Sequence, residues 1–239
     1  MNELLWLCFA LFDMGITVLM HRLFGAAGLH GLIVLNLMVC NIQVLKTVTL
    51  FGMTTTLGNI VYAGVFLATD MLGEFHGKAE ARKGVLIGFA TLLLGTAYMQ
   101  VSLLYAPAPS DFAHPHLQAL FGLLPRLAGA SLLAYLVSQY HDVWAYHFWM
   151  QRTGGRHLWL RNNASTLVSQ VLDSSVFCLA AFTGVYPFEV VLEIMLTTYL
   201  FKAVVALLDT PFIYLARRLH RARPADAPAA AATAATAAG

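Results

Sequence analysis

Apolar residues in this chain come in long unbroken runs separated by short polar clusters. Seven such runs can be marked: Glu3–Phe24, Gly28–Leu50, Leu57–Gly73, Gly84–Tyr105, Leu117–Tyr140, Asn163–Gly184 and Pro187–Ala216. A bilayer core about 30 Å thick takes roughly 20 apolar residues per helix, so each run is sized for one crossing. Strands of a membrane barrel would instead alternate over about ten residues, and none of these runs does. The pattern predicts an all-α, polytopic transmembrane helix bundle.

Composition points the same way. Of 239 residues, 59% are hydrophobic and 11% charged, with mean hydropathy +0.70. A soluble domain averages about 25% charged residues, so this chain has too little polar surface for water. The first run begins MNELL, without a basic region or an A-x-A site, and so predicts a retained helix rather than a cleaved leader. Cys8, Cys40 and Cys178 fall inside runs at unrelated spacings and read as apolar packing residues.

The bases set orientation. Arg22, then Lys78, Arg82 and Lys83, then Arg152, Arg156 and Arg161, then Arg217, Arg218, Arg221 and Arg223 occupy every second connection and the final junction. The intervening connections, Phe51–Thr56, Ala106–His116 and Val185–Tyr186, hold no Lys or Arg. The alternation predicts an external N-terminus and a cytoplasmic C-terminus. Beyond Pro224 the Ala/Pro/Thr composition predicts a disordered tail.

Ionisable groups inside the runs need a reason, because each costs roughly 2.5–3.5 kcal/mol on insertion scales. The set is Lys46, Asp70, Arg126, Asp173, Glu193, Lys202 and Asp209. At about 1.5 Å per residue, Arg126 and Asp173 fall about 14–15 Å from the nearer face, and Asn41, Asp70 and Lys202 about 20–22 Å along their runs. These groups are expected to crowd into the middle and inner half of the bilayer. Asn36, Cys40, Gln43 and Thr47 form one stripe, Thr166, Gln170 and Asp173 another, and Thr198, Lys202 and Asp209 a third. Polar stripes in lipid must face each other or a cavity. Isolated Ser and Thr read equally as helix-packing groups, and Lys46, Glu193 and Asp209 as side chains that snorkel to an interface. Ala130-x-x-x-Ala134 beside Gly129 reads as close helix packing. For Arg126, a carboxylate partner is expected, with Asp173 ahead of Asp70. P-loop, H-E-x-x-H and G-x-S-x-G motifs are absent, and His114-Pro115-His116 is weak evidence for a metal. No catalytic residue, metal, cofactor or nucleic-acid partner is expected.

Four ordered stretches carry a resemblance. "TDMLGEFHGKAEARKGVLIGF", "NIQVLKTVTLFG", the long "PRLAGASLLAYLVSQYHDVWAYHFWMQRTGGRHLWLRNNASTLVSQVLDSSVFC" and "TTYLFKAVVALLDTP" resemble the signatures of the queuosine precursor transporter family. The resemblance runs from about Gly31 to Ala216. It implies import of 7-cyano-7-deazaguanine and 7-aminomethyl-7-deazaguanine across the inner membrane for salvage into tRNA. It also implies a six-helix core, here 28–216, similar to vitamin-binding subunits of energy-coupling transporters. Residues 1–27 would be an extra N-terminal helix, and 217–239 a basic junction and cytoplasmic tail. A deazaguanine offers two donors and one acceptor on one edge, so a carboxylate can take both donors. Asp173 or Asp70 suits that role; Arg126, Asn41, Gln170 or Lys202 could donate to the carbonyl, and Phe177 or Tyr199 could stack. Asp70 and Glu74 could alternatively pair with Lys78 and Arg82. The other functional readings are a substrate-binding subunit for a vitamin-like molecule with a separate energising partner, and an intramembrane enzyme or assembly factor. Proton, sodium, partner ATPase and metabolic trapping all remain open as driving forces, and a homo-oligomer is compatible with the sequence.

Overall fold

The computed structural model describes residues 1–152 and 158–221. The tail beyond Arg221 and the side chains of Thr166 and Asp209 lie outside the described residues. The chain folds as α1 (Asn2–Phe24), α2 (Ala26–Gln43), β1 (Thr47–Leu50), β2 (Met53–Thr56), α3 (Gly58–His76), α4 (Lys78–Leu104), α5 (His114–Phe121), α6 (Leu124–Arg152), α7 (Leu158–Phe182) and α8 (Phe188–Arg221). This is an all-α polytopic membrane bundle: one long helix per apolar run, plus the short α5. Exposed leucines, phenylalanines and tyrosines cover the outer faces of the long helices, as a lipid-facing surface requires.

Two runs depart from their expected form. Helix α2 ends at Gln43 and the chain turns back as a two-residue hairpin, pairing Thr47 with Thr56 and Leu50 with Met53. The tip, Phe51-Gly52, has positive φ at both residues (51° and 78°), the geometry whose twist suits a two-residue hairpin. The β-branched run TVTL, with threonines opposite, favours strand over a further helical turn. Thr47 therefore leaves the helical stripe assigned to it, and Lys46 falls beyond the end of α2. The fifth run also splits: α5 stops at Phe121, and α6 begins afresh at Leu124 with Pro125 in its first turn, where a missing N–H costs nothing.

The corners between α1 and α2 and between α3 and α4 are single glycines, Gly25 and Gly77, at φ +62° and +91°. A side chain would be strained at either position. Two apolar cores result. Trp6, Met14, Leu29, Ile33, Leu67, Met71 and Phe201 knit α1, α2, α3 and the lower part of α8. Val44, Leu127, Ala130, Cys178, Phe182 and Ile194 knit α6, α7 and the upper part of α8. Ala130 thus does serve close packing. Helix α8 belongs to both cores, and the space between them is the site.

Four described segments are long and apolar enough to cross a membrane on their own: Asn2–Phe24, Ala26–Gln43, Lys78–Leu104 and His114–Ser138.

Candidate functional site

Between the two cores lies a partly open cavity with about 470 Å³ of free space, open solvent included. Five helices line it: α2 with Cys40, Asn41 and Val44 at its end, α3 with Gly58, Asn59 and Tyr62, α6 with Ser131 and Ala134, α7 with Asp173 and Phe177, and α8 with Thr198 and Lys202. Gly58 allows α3 to start hard against α2, since a Cβ there would lie 2.6 Å from the Cys40 carbonyl oxygen.

At the centre, the Lys202 ammonium donates to Asp173 Oδ2 across the α7–α8 gap. Their side chains are only 10% and 15% exposed, so the pair is largely withdrawn from water. Each ion offsets the cost of burying the other. The same ammonium lies 5.3 Å from the centre of the Tyr62 ring, a cation–π contact that draws α3 onto the pair. Phe177, one helical turn from Asp173, supplies a second aromatic wall.

Asn41 lines the cavity, with its amide nitrogen already engaged. Its amide nitrogen donates to the Leu37 carbonyl at 2.8 Å and to Cys40 Sγ at 3.6 Å, so the oxygen is what it has left to offer. Asn59, missed from sequence, lies one turn before Tyr62. Its amide nitrogen donates to the Thr56 carbonyl (3.4 Å) and to Thr198 Oγ1 (3.3 Å), tying hairpin, α3 and α8 together beside the cavity. The missed signal was Asn59 and Tyr62 three apart, sharing a face with Phe66 and Asp70.

Gln170 sits one turn from Asp173, and its side-chain oxygen is buried without a hydrogen-bond partner. Asp70 is exposed, on the less buried face of α3 formed by Asn59, Tyr62, Phe66 and Asp70, about 12 Å beyond Tyr62. Neither residue lines the cavity. Tyr199 also lies outside the lining, and Glu74 pairs with Arg217 at 2.6 Å rather than with Lys78 or Arg82.

Arg126 is corrected outright. Its Nε donates to the Ala180 carbonyl at 2.8 Å and its Nη2 to the Thr183 carbonyl, and the side chain is exposed. The guanidinium caps the last turn of α7, where carbonyls lack helical partners and a cation is favoured. Because α6 begins at Leu124, Arg126 lies in its first turn. Asp173, its expected partner, belongs to Lys202.

The cavity also lies nearer the hairpin end than expected. Asn41 and Gly58 are at helix ends, and Asp173 is about 14 Å from the end of α7. The hairpin is anchored on both flanks. Asn2 Nδ2 donates to the Thr49 carbonyl at 3.2 Å and Phe51 N–H to Glu3 Oε1 at 3.3 Å, while Thr197 Oγ1 donates to the Thr54 carbonyl at 3.1 Å.

A helical membrane bundle with a partly open, aromatic-walled cavity and a largely buried ion pair at its centre has the makings of a small-molecule site between membrane helices. Comparison with known proteins makes the class specific. A family profile described as "Putative vitamin uptake transporter" matches residues 56–216. A Bacillus subtilis (strain 168) protein described as "Probable queuosine precursor transporter" is 46% identical over 220 residues, covering 91% of this chain and 96% of its own length. The "Queuosine precursor transporter" of Escherichia coli (strain K12) is 31% identical over 173 residues, covering 70% and 74% respectively. The chain belongs to the queuosine precursor transporter family. No solved structure matches it.

Proposed function

We propose that this protein imports queuosine precursors, 7-cyano-7-deazaguanine and 7-aminomethyl-7-deazaguanine, across the inner membrane, with its C-terminus in the cytoplasm. The names of its relatives supply the substrate class. The observation that carries the reading is the buried Asp173–Lys202 pair beside Tyr62 and Phe177. A deazaguanine edge presents a ring N–H and an amino group beside a carbonyl. Asp173 accepts from both donors while Lys202 donates to the carbonyl, so the ion pair reads the whole edge with charge-assisted bonds. Tyr62 and Phe177 take the flat faces, the usual way an isolated base is held. Asn41 offers its oxygen to a further donor, and Gln170, one turn deeper, is reserved for a base moving inward.

Asp70 marks the exit side in this scheme, on the face of α3 that leads away from the hairpin. The transporter core is residues 28–216, with α1 packed on it as an additional helix. The protein moves its substrate unchanged and performs no covalent chemistry. The test is tRNA queuosine content in a strain unable to synthesise the precursors, supplied with limiting external base. Queuosine returns when this protein is expressed; no return overturns the proposal.

A further inference from the structure

Helix α1 buries a carboxyl with no cation beside it. Asp13 lies about 17 Å along the helix from Asn2, near mid-bilayer, and is only 8% exposed. Oδ1 accepts from Asn36 Nδ2 of α2 at 3.3 Å, and the same nitrogen donates to the Val61 carbonyl of α3 at 3.3 Å. Oδ2 is buried without a hydrogen-bond partner. The carboxyl rests on the bare backbone of Gly64, where an added Cβ would collide with Oδ2 and with Asn36 Nδ2.

Among the described residues the surroundings hold no charge to balance it. From α2 the carboxyl meets the Asn36 amide; from α3, the Gly64 backbone N–H. Helix α8 brings Phe201 and Val205 to this core, and its cation Lys202 is committed to Asp173. Along α1 the next titratable side chain is His21, two turns on, whose ring meets His76. On α2 the Cys40 thiol donates to the Leu37 carbonyl. No Lys or Arg pairs with Asp13 among the described residues.

A carboxylate so placed is costly in hydrocarbon, and the neutral acid costs far less. Asp173 meets the same problem with Lys202; Asp13 can meet it only with a proton. A metal ion is a poor substitute, because hard cations need a shell of oxygens and the groups facing Asp13 are N–H donors. The site is also wired to the cavity. Asn36 is one turn before Cys40 on α2, and Val61 immediately precedes Tyr62 on α3, and both Cys40 and Tyr62 line the cavity.

We infer that Asp13 is the proton-carrying site that couples base import to proton entry. This rests on the reading of the cavity as the base site. In each cycle the Asp13 carboxylate takes one proton from external water, forming an O–H bond at Oδ2. That bond breaks on the inner side and the proton leaves to the cytoplasm, with no change in electron count. With the neutral 7-cyano-7-deazaguanine, one positive charge enters per base, so transport is electrogenic.

The test uses the full chain in proteoliposomes with 7-cyano-7-deazaguanine. Counterflow exchange without any gradient reads translocation alone, and its absence in the original protein would sink the import reading itself. Given exchange, an imposed gradient of one pH unit, acid outside, should drive accumulation towards about tenfold, the limit for one proton per base. A protonophore should abolish it. Asp13→Asn keeps the shape and the bond to Asn36, so it should retain exchange while accumulation falls to equilibration. Accumulation by Asp13→Asn equal to the original protein's would overturn the inference. A second readout needs no variant: a pH dye trapped inside vesicles of the original protein should report acidification when base is added outside. Exchange without acidification would overturn the inference and leave the import reading standing.

Discussion

Lys202 and Asp173 hold one another in place from neighbouring helices, and this makes their individual removal asymmetric. Deleting one partner leaves the other charged and buried, at about 3–5 kcal/mol of stability. Asp173→Asn and Lys202→Met should therefore each lower the unfolding temperature in detergent, and the double variant should recover most of the loss. Binding should not recover. Asp173→Asn replaces a double acceptor with one acceptor and one clashing donor, a loss of about 1.5–3 kcal/mol, or roughly ten- to a hundred-fold in affinity for 7-cyano-7-deazaguanine by calorimetry. Unchanged affinity in a folded variant would take recognition away from this pair. Arg126 offers the contrasting case. Its bonds go to the Ala180 and Thr183 carbonyls, so Arg126→Leu should cost stability at the end of α7 and leave affinity unchanged. Combined with Asp173→Asn, its stability effect should add within about 0.5 kcal/mol, as for sites that share no partner. A large coupling energy would restore the pairing that the depth argument favoured. The cavity residues legible from sequence were Asp173 and Lys202, whose cost in lipid demands an explanation, together with Asn41 and Phe177. The depth of Arg126 was not legible, because it depended on where a helix begins. Asp13 obeys the same rule of cost as Asp173 and lies outside the set of intramembrane ions named from sequence.

Helices were readable as lengths of apolar chain, and their interruptions were not. Hydropathy carries the runs Gly28–Leu50 and Leu117–Tyr140 straight through the ends of α2 and α5, since TVTL and LFGLLP are as apolar as helix. What ends these helices is local: a β-branched run with an αL tip in one, a glycine and a proline in the other. The hairpin that results is a tether between α1 and α8 at the cavity end of the bundle. The joint of α1, α2 and α3 is equally local, since it needs Gly64 to remain bare. Gly64→Ala would press a methyl group into the Asp13 carboxyl and the Asn36 amide. Overpacking of this kind typically costs 1–3 kcal/mol, so the unfolding temperature should drop. Asp13→Ala in the same chain should relieve part of that loss by removing the obstructing oxygen. If the two substitutions are simply additive, the three helices do not meet at this point as described.

The two ends of the whole molecule differ in kind, and that difference argues the topology. One end gathers the start of α1, the hairpin, the α7–α8 turn and the start of α6, joined by Phe51–Glu3, Thr197–Thr54 and Arg126–Thr183 contacts. Its α4–α5 and α7–α8 connections carry neither Lys nor Arg, and the hairpin connection carries one base, Lys46. The other end gathers charge: Glu74 with Arg217, and Glu80 with both His30 and Lys83. Basic residues are retained on the cytoplasmic side during insertion, so the proposed orientation puts the hairpin and the nearer mouth of the cavity outside. On that proposal a precursor arriving from outside would meet the hairpin end first, with the ion pair about one helix-half below it, and would leave past Asp70. Single cysteines test this directly. In a chain lacking Cys8, Cys40 and Cys178, a cysteine at Ser110, between α4 and α5, should react in whole cells with a membrane-impermeant maleimide. One at Gly154, in the α6–α7 connection, should react only after the membrane is opened. Odd and even connections must sit on opposite sides if each long helix crosses once, so labelling of both positions from one side would mean that α6 does not cross. Labelling with the two sides exchanged would keep the bundle intact, invert the path of the base, and place the hairpin over the exit rather than the entrance.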